Sequence, residues 1–262
     1  MTLAELRPTV PEHEVVRHMH DDAHVLLLIE GAYVSSAHGM PEVCTHPVLI
    51  LNPPGTEHRD RFRGLDGRFL TLSLPLATWQ SLTNDIGVGD AAIRLPVPVL
   101  AEGVRCLRAL RDWDAVSPLA IEAALAGVLG AAAAQRDCAD ATAPAWLQRA
   151  EQRLADLPQS PPTLAELARI ADVHPVHFAR AFRRRNGCAP SDYLRERQFE
   201  RALARLAAGA SPIEAAADAG YVDQSHFHRW CRRWLRDTPG RVRALLAAQD
   251  VAGVQDAPGA LD

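Results

Sequence analysis

The chain has 262 residues, of which 48% are hydrophobic and 23% charged, with a formal net charge of −4. These values exclude wholesale disorder, and the length is natural for two domains. The five cysteines (Cys44, Cys106, Cys138, Cys188, Cys231) are odd in number, widely spaced and without a Cys-x-x-Cys pair, which argues against a secreted disulfide framework and a zinc ribbon.

The N-terminal MTLAELRPTVPEHEVV lacks a basic-then-apolar leader pattern. The most apolar helical run, 121–134, carries Glu122 and is shorter than the ~20 residues of a bilayer span. The expectation is a soluble cytoplasmic protein with no membrane partner.

Charge is unevenly placed. Residues 1–143 hold 11 Arg against 18 acids (−7), and residues 174–243 hold 14 Arg against 7 acids (+7). A basic segment on an acidic chain is the electrostatic footprint of a nucleic-acid module, although a solvated helical surface has the same signature. All 28 basic residues are Arg, which a coding bias explains without function.

In chain order, the first ~95 residues read as strands. Residues 25–29 and 48–51 are branched apolar runs followed by turn chemistry, Glu30-Gly31 and Asn52-Pro53-Pro54-Gly55. Arg68–Leu74 alternates as a half-buried strand should. This spacing predicts a small β-barrel or sandwich. Residues 101–113 and 118–135 have helical composition, and 137–144 (DCADATAP) is small and polar, so the domain boundary is placed there. Helix is expected beyond it until a tail at 249–262, too poor in apolar residues to fold alone.

The C-terminal half holds an internal repeat. Phe178-Ala-Arg180-Ala-Phe182-Arg183-Arg184 returns as Phe227-His-Arg229-Trp-Cys231-Arg232-Arg233. Each copy follows a short helix with a capping-box start, Thr163-x-x-Glu166 or Ser211-Pro212-x-Glu214. Short helix, turn and basic second helix describe two helix-turn-helix units. Helical spacing buries Phe178, Ala181 and Phe182 in the first and Phe227, Cys231 and Trp234 in the second. The faces left over carry Val176, Ala179, Arg180 and Arg183, and Gln224, Ser225, His228, Arg229 and Arg232. Arg180 and Arg229 suit guanine or phosphate contact, while solvated surface or phosphate contact accounts for Arg183, Arg184, Arg232 and Arg233. Between the units, 191–208 reads as one helix spanning ~27 Å, a rod able to hold two recognition helices about one DNA turn (~34 Å) apart.

Residues 146–243 resemble the AraC/XylS family of bacterial transcription regulators, on LAELARIADVHPVHFARAFRRRNGCAPSDYLRERQFERA and SPIEAAADAGYVDQSHFHRWCRRWLRDTPGRVR. The resemblance implies a tandem helix-turn-helix that binds promoter DNA, with reading positions at Val176, Ala179 and Arg180, and at Gln224, Ser225, His228 and Arg229. Three departures fall in the second unit. Arg236 stands where the family has a helix-ending Gly, Cys231 replaces a core Phe, and Ala215 replaces a larger aliphatic.

The N-terminal histidines form a second pattern. His18-x-His20 lies where a strand begins, with both rings on one face, and His24 keeps that parity if the strand continues through Asp21-Asp22. His58 closes the turn that begins at Pro53. The arrangement resembles the two motifs of the cupin barrel, in which the matching positions, His18, His20, His24 and His58 here, hold a metal. Such a set suits zinc, iron, nickel or manganese. The alternative is hydrogen-bonded pocket lining without metal. His13, His38 and His46 lack spacing and are expected at the surface, and the turn acids Glu57 and Asp60 are expected to be solvated.

The fold class expected is α+β with two domains: a cupin-like effector-binding barrel over 1–100, a helical linker with a dimerisation role over 101–143, a tandem helix-turn-helix over 144–248 and a disordered tail over 249–262. The function expected is transcription regulation, not catalysis. The expected partners are promoter DNA, a small-molecule or metal effector, RNA polymerase and a second copy of the chain as a homodimer. A metal-dependent cupin enzyme with a DNA-binding appendage is the alternative, and a cupin that only mediates protein contact is a third.

Overall fold

The computed structural model describes residues 1–135, 144–155, 162–247 and 254–256. The N-terminal region is built on a six-stranded antiparallel sheet. Its strands are β1 (Thr2–Leu6), β3 (Ala23–Glu30), β5 (Val48–Asn52), β8 (Arg68–Leu74), β9 (Ile93–Arg94) and β10 (Val254–Asp256), in the order β10-β1-β8-β3-β5-β9. Two short antiparallel ladders stand beside it. One pairs β2 (His18–Met19) with β6 (Glu57–His58), and the other pairs β4 (Tyr33–Val34) with β7 (Arg61–Phe62).

Period-two alternation explains why β3 and β5 are apolar throughout. Val25, Leu27, Leu49 and Leu51 face one cluster, and Leu26, Leu28, Val48 and Ile50 face another containing Tyr33 and Phe62. Both faces of the sheet are thus covered. β8 alternates buried and half-buried positions along its length, as its sequence predicts. Gly31 ends β3 at φ +107°, and a Cβ there would lie 2.7 Å from the Cα of Gly67, so the turn requires glycine. The helix α1 (Leu76–Thr83) falls in the stretch expected to be strands throughout.

Next come α2 (Leu100–Arg111) and α3 (Ser117–Gln135), which pack on each other. At 19 residues α3 matches the 118–135 run read from the sequence to within one residue and extends past its most apolar part, 121–134. By length and composition it is long and apolar enough to cross a membrane. Here Ile121, Leu125, Val128 and Leu129 are buried in the same cluster as the sheet.

The C-terminal helices are α4 (Ala145–Ala155), α5 (Leu164–Ile170), α6 (Pro175–Asn186), α7 (Pro190–Ala207), α8 (Pro212–Asp218), α9 (Gln224–Leu235) and α10 (Pro239–Ala247). Two cores divide them. Leu147, Leu154, Leu167, Phe178 and Phe182 form one, joining α4, α5 and α6 with Tyr193 and Leu194 of α7 packed against it. Phe199, Leu203, Ala215, Phe227, Cys231 and Trp234 belong to the cluster that contains the sheet and α2. One hydrophobic core therefore crosses from the N-terminal region into the second half of the helical region. The boundary segment at 137–143 and Cys138 lie outside the described residues, as does most of the expected tail. Of that tail, Val254–Asp256 pairs with β1.

Polar contacts reinforce this junction. Arg68 of β8 and Arg111 of α2 donate to the carbonyls of Leu246 and Leu245, the last turn of α10, which has no internal donors for them. Both arginines also face Glu5 of β1. Arg108 of α2 donates to Asp237 at 2.5 Å.

Candidate nucleic-acid interface and histidine cluster

The two helix-turn-helix units form as their sequences dictate. Thr163 Oγ1 accepts from the Glu166 backbone N–H at 3.2 Å while the Glu166 carboxylate accepts from the Thr163 N–H at 2.7 Å. Ser211 and Glu214 repeat the exchange at 3.3 and 2.8 Å, with Pro212 in the first turn. Both capping boxes therefore satisfy donors that a helix start would leave orphaned. The hydrogen bonds hold both glutamate carboxyls below their usual range.

In α6, His174 caps the first turn by accepting from the Val176 N–H, Pro175 is the first helical residue, and Gly187 closes the helix at φ +71°. Phe178, Ala181 and Phe182 are buried. Val176, Arg180 and Arg183 are exposed, and Ala179 is half-buried beside them. In α9, the Asp223 side chain accepts from the His226 N–H at 2.6 Å. Phe227, Cys231, Trp234 and Leu235 are buried. Gln224, Ser225, Arg229 and Arg232 are exposed and His228 is half-buried. The faces picked out by helical spacing are the faces presented.

The three departures in the second unit each have a structural consequence. Arg236 ends α9 in the left-handed conformation, φ 56° and ψ 23°, which a side chain adopts at a cost that glycine avoids. Cys231 and Ala215 are fully buried at 0% exposure, so both small side chains sit inside the shared core.

In the N-terminal region, the β2–β6 ladder sets His18 directly opposite His58. The ligand atoms of His18, His20 and His58 all lie within 4.8 Å of one another. His18 Nδ1 lies 3.0 Å from the Val16 carbonyl, a bond that leaves Nε2 as the ring nitrogen available to a ligand. The chain bends at Asp21-Asp22 rather than continuing as a strand, and His24 adjoins this trio beside His20 without joining the group of mutually close ligand atoms. Its ring is 4.7 Å from that of His20, and Nδ1 meets Ser73 Oγ at 3.0 Å. His24 Nε2 is buried with no hydrogen-bond partner among the described residues. Burial first, then the neighbouring histidines, lowers the affinity of His20 for a proton, and burial lowers that of His58 and of His24, the last to about 4. Imidazoles held neutral in this way have free lone pairs, the state in which histidine binds metal.

Two expectations are corrected. His46 is half-buried rather than at the surface, its side chain 15% exposed, with Nε2 3.4 Å from Glu200 of α7. His38 is exposed, as expected, and lines the cleft between the sheet edge and the helices. Asp60 is half-buried and accepts from Asn52 Nδ2 at 3.4 Å, whereas Glu57 is exposed as expected. His13 is exposed.

Sequence reading also missed a polar cluster that joins the two regions. Glu200 accepts from Arg94 of β9 and from Arg197, the latter at 2.8 Å, with His46 on its other oxygen. Burial disfavours its charge, but Arg94 and Arg197 outweigh that and hold the carboxyl below its usual range. Burial also takes His46 down to about 4 and pushes the adjacent Cys44 thiol up to about 11. At neutral pH the group is therefore a carboxylate between two guanidiniums, flanked by a neutral imidazole and a thiol.

Residues 167–245 match the family described as a helix-turn-helix domain. Over 64 residues the chain is 33% identical to YbfI of Bacillus subtilis (strain 168), described as an uncharacterized HTH-type transcriptional regulator. That match covers 24% of this chain and 23% of YbfI. The chain is also similar to the C-terminal domain of AraT, a response regulator from Geobacillus stearothermophilus (21% identity, TM-score 0.36, covering 40% of this chain and 88% of that one). A further similarity is to ToxT from Vibrio cholerae O395 (8% identity, TM-score 0.41, covering 95% of this chain and 98% of that one). The family match and the two capped units together identify residues 167–245 as a helix-turn-helix domain.

Proposed function

We propose that the protein is a sequence-specific DNA-binding transcription regulator whose N-terminal region senses a metal or small molecule. In this reading 144–248 binds promoter DNA, 1–100 holds the effector and 101–143 couples them. The observation that carries the reading is the pair of exposed, arginine-bearing faces on α6 and α9, each on a helix capped and packed as the second helix of its unit. Arg180 and Arg229 lie in the first half of their helices, the part of a recognition helix that meets base edges. The test is selection of bound duplexes from a random library, followed by titration of the selected site. Arg180→Ala and Arg229→Ala are each expected to weaken specific binding by ~1–3 kcal/mol and to relax the preference at one position. Unchanged affinity and unchanged preference in both variants would contradict the assignment.

The N-terminal part of the reading rests on His18, His20 and His58. Three imidazoles whose ligand atoms lie close together fit a divalent transition metal of the zinc, iron, nickel or manganese type, and His24 stands by as a further donor. Elemental analysis after exposure to each metal is expected to find about one ion per chain, and none in His20→Ala. Equal metal content in the variant and the parent would remove the histidines from the site.

A homodimer is the assembly we favour. Its support is the outward face of α3, where Leu119, Ala123, Ala126, Gly130 and Ala134 are exposed and small or apolar. Sedimentation of the full chain tests it, with Ala126→Glu expected to shift dimer to monomer.

A further inference from the structure

A cleft of about 510 Å³ separates the sheet edge from the first helix-turn-helix unit. One wall is Met40, Ile93 and Arg94 from the N-terminal region. The other is Gln148 of α4, Asn186 at the end of α6, and Tyr193 and Arg197 of α7. Its size is that of a small-molecule site, and it lies where the two regions meet, a preferred place for such sites.

The interior of the N-terminal region is a less suitable place for an organic ligand. Leu26, Leu28, Ile50, Tyr33 and Phe62 pack together between the main sheet and the β4–β7 ladder.

The chemistry of the cleft limits what it can hold. Its cations are already paired: Arg94 and Arg197 with Glu200, and Arg185 with Glu151 at 3.9 Å. An anionic ligand would have to compete with those carboxylates, and a cationic one with those guanidiniums. Glu196 also lines the cleft, and burial followed by the nearby Glu200 charge pushes its carboxyl up to about 7, so near neutrality it is both donor and acceptor. The remaining polar lining, carboxamides, a phenol, the His38 imidazole and the Cys188 thiol, also donates and accepts. Two buried atoms facing this region have no hydrogen-bond partner among the described residues, Gln135 Oε1 as acceptor and Arg197 Nε as donor. Leaving such atoms unpaired is costly, and a ligand carrying both kinds of group removes that cost.

The geometry points to this cleft as a binding site for an uncharged, multiply hydroxylated small molecule, which ties the first helix-turn-helix unit to the sheet. A hydroxyl group donates and accepts at once, which matches a lining of mixed polarity. Met40, Ile93 and Pro41 offer the apolar surface against which the carbon skeleton of such a molecule rests. This site is separate from the histidine cluster, so either can exist without the other.

The three methionines of the chain serve as reporters, because Met40 lines the cleft and Met19 lies between His18 and His20. The full chain labelled with ¹³C-methyl methionine is titrated to millimolar concentrations with myo-inositol, D-glucose and maltose, and with gluconate and glucosamine as charged counterparts. At least one neutral polyol is expected to move the Met40 signal and leave Met19 in place. Gluconate and glucosamine are expected to leave both signals unmoved. Gln148→Trp, at an exposed position on the cleft wall, is expected to fold normally and to weaken that binding by about ten-fold or more. Three results would overturn the site: a Met40 signal that no neutral polyol moves, one that charged analogues move equally, or binding unaffected by Gln148→Trp. Nickel addition perturbing Met19 reports on the histidine cluster alone, so failure of one site is distinguishable from failure of the other.

Discussion

The two helix-turn-helix units repeat one sequence motif and differ in what lies behind them. The first buries Phe178 and Phe182 against Leu147, Leu154 and Leu167, and no residue of the sheet belongs to that cluster. The second buries Phe227 and Trp234 in the core that contains Leu27, Leu72 and Leu107. Arg108–Asp237 and the arginine caps on α10 hold it there as well. Similar recognition helices are thus mounted differently. α9 moves with the sheet and α2, whereas α6 rides on its own small core, a shared connecting helix and a polar cleft. A change in the N-terminal region reaches α9 through packed side chains and reaches α6 mainly through the cleft and Glu200.

Core truncation gives the largest test of this difference. Phe182→Ala and Phe227→Ala each remove a fully buried ring, a change worth ~3–5 kcal/mol. Urea unfolding followed by hydrogen exchange is expected to show loss of protection confined to α4–α6 for Phe182→Ala. For Phe227→Ala, weakening is expected across the second unit and the sheet together. Loss of sheet protection in Phe182→Ala would erase the distinction.

Glu200→Ala comes next, because it strands Arg94 and Arg197 in a buried setting. Breaking a buried pair in this way costs ~3 kcal/mol. The urea midpoint should fall, and Glu200→Gln should recover part of the loss by keeping two hydrogen bonds. An unaltered midpoint in Glu200→Ala would mean that the cluster does not hold the regions together.

A pH effect of intermediate size follows from His46, which Glu200, Arg94, Arg197 and Cys44 surround. Its folded pKa of about 4 lies below the unfolded value near 6.5. Between these values the unfolded chain takes up a proton that the folded chain refuses. Stability is then full above pH 6.5, declines as pH falls toward 4 and levels off below it. The difference in Tm between the parent and His46→Gln should change across that window. A constant difference would show that His46 stays uncoupled from folding.

The smallest effect is at Arg236, where glycine would relieve the left-handed strain. Arg236→Gly is expected to stabilise the second unit by about 1 kcal/mol, read as a raised Tm. A lowered Tm would mean that the arginine side chain makes compensating contacts.

Much of this was legible in the sequence because it is local. The capping boxes, the alternation of Arg68–Leu74 and the recognition faces depend on spacings of two to four residues, which backbone geometry fixes. His18 and His58 were legible through motif spacing, and the ladder sets them opposite each other. His24 was placed by parity along a continuous strand, and the chain bends at Asp21-Asp22 while still setting its ring 4.7 Å from that of His20. α1 was missed because LATWQSLT is short, follows Pro75 and has no side-chain N-cap. His46 was assigned to the surface because its burial is caused by Glu200, on a helix far along the chain. The shared core was not visible either, since apolar periodicity shows that a helix buries a face but not which surface receives it.

The unequal mounting of the two units is the central claim, and native-state hydrogen exchange of the full chain tests it most directly. The amides of α9 are expected to exchange with the same opening free energy as those of β3 and β8, while α6 opens with α5 at a lower one. Common opening of α6 and α9, at a free energy distinct from that of the sheet, would contradict the account.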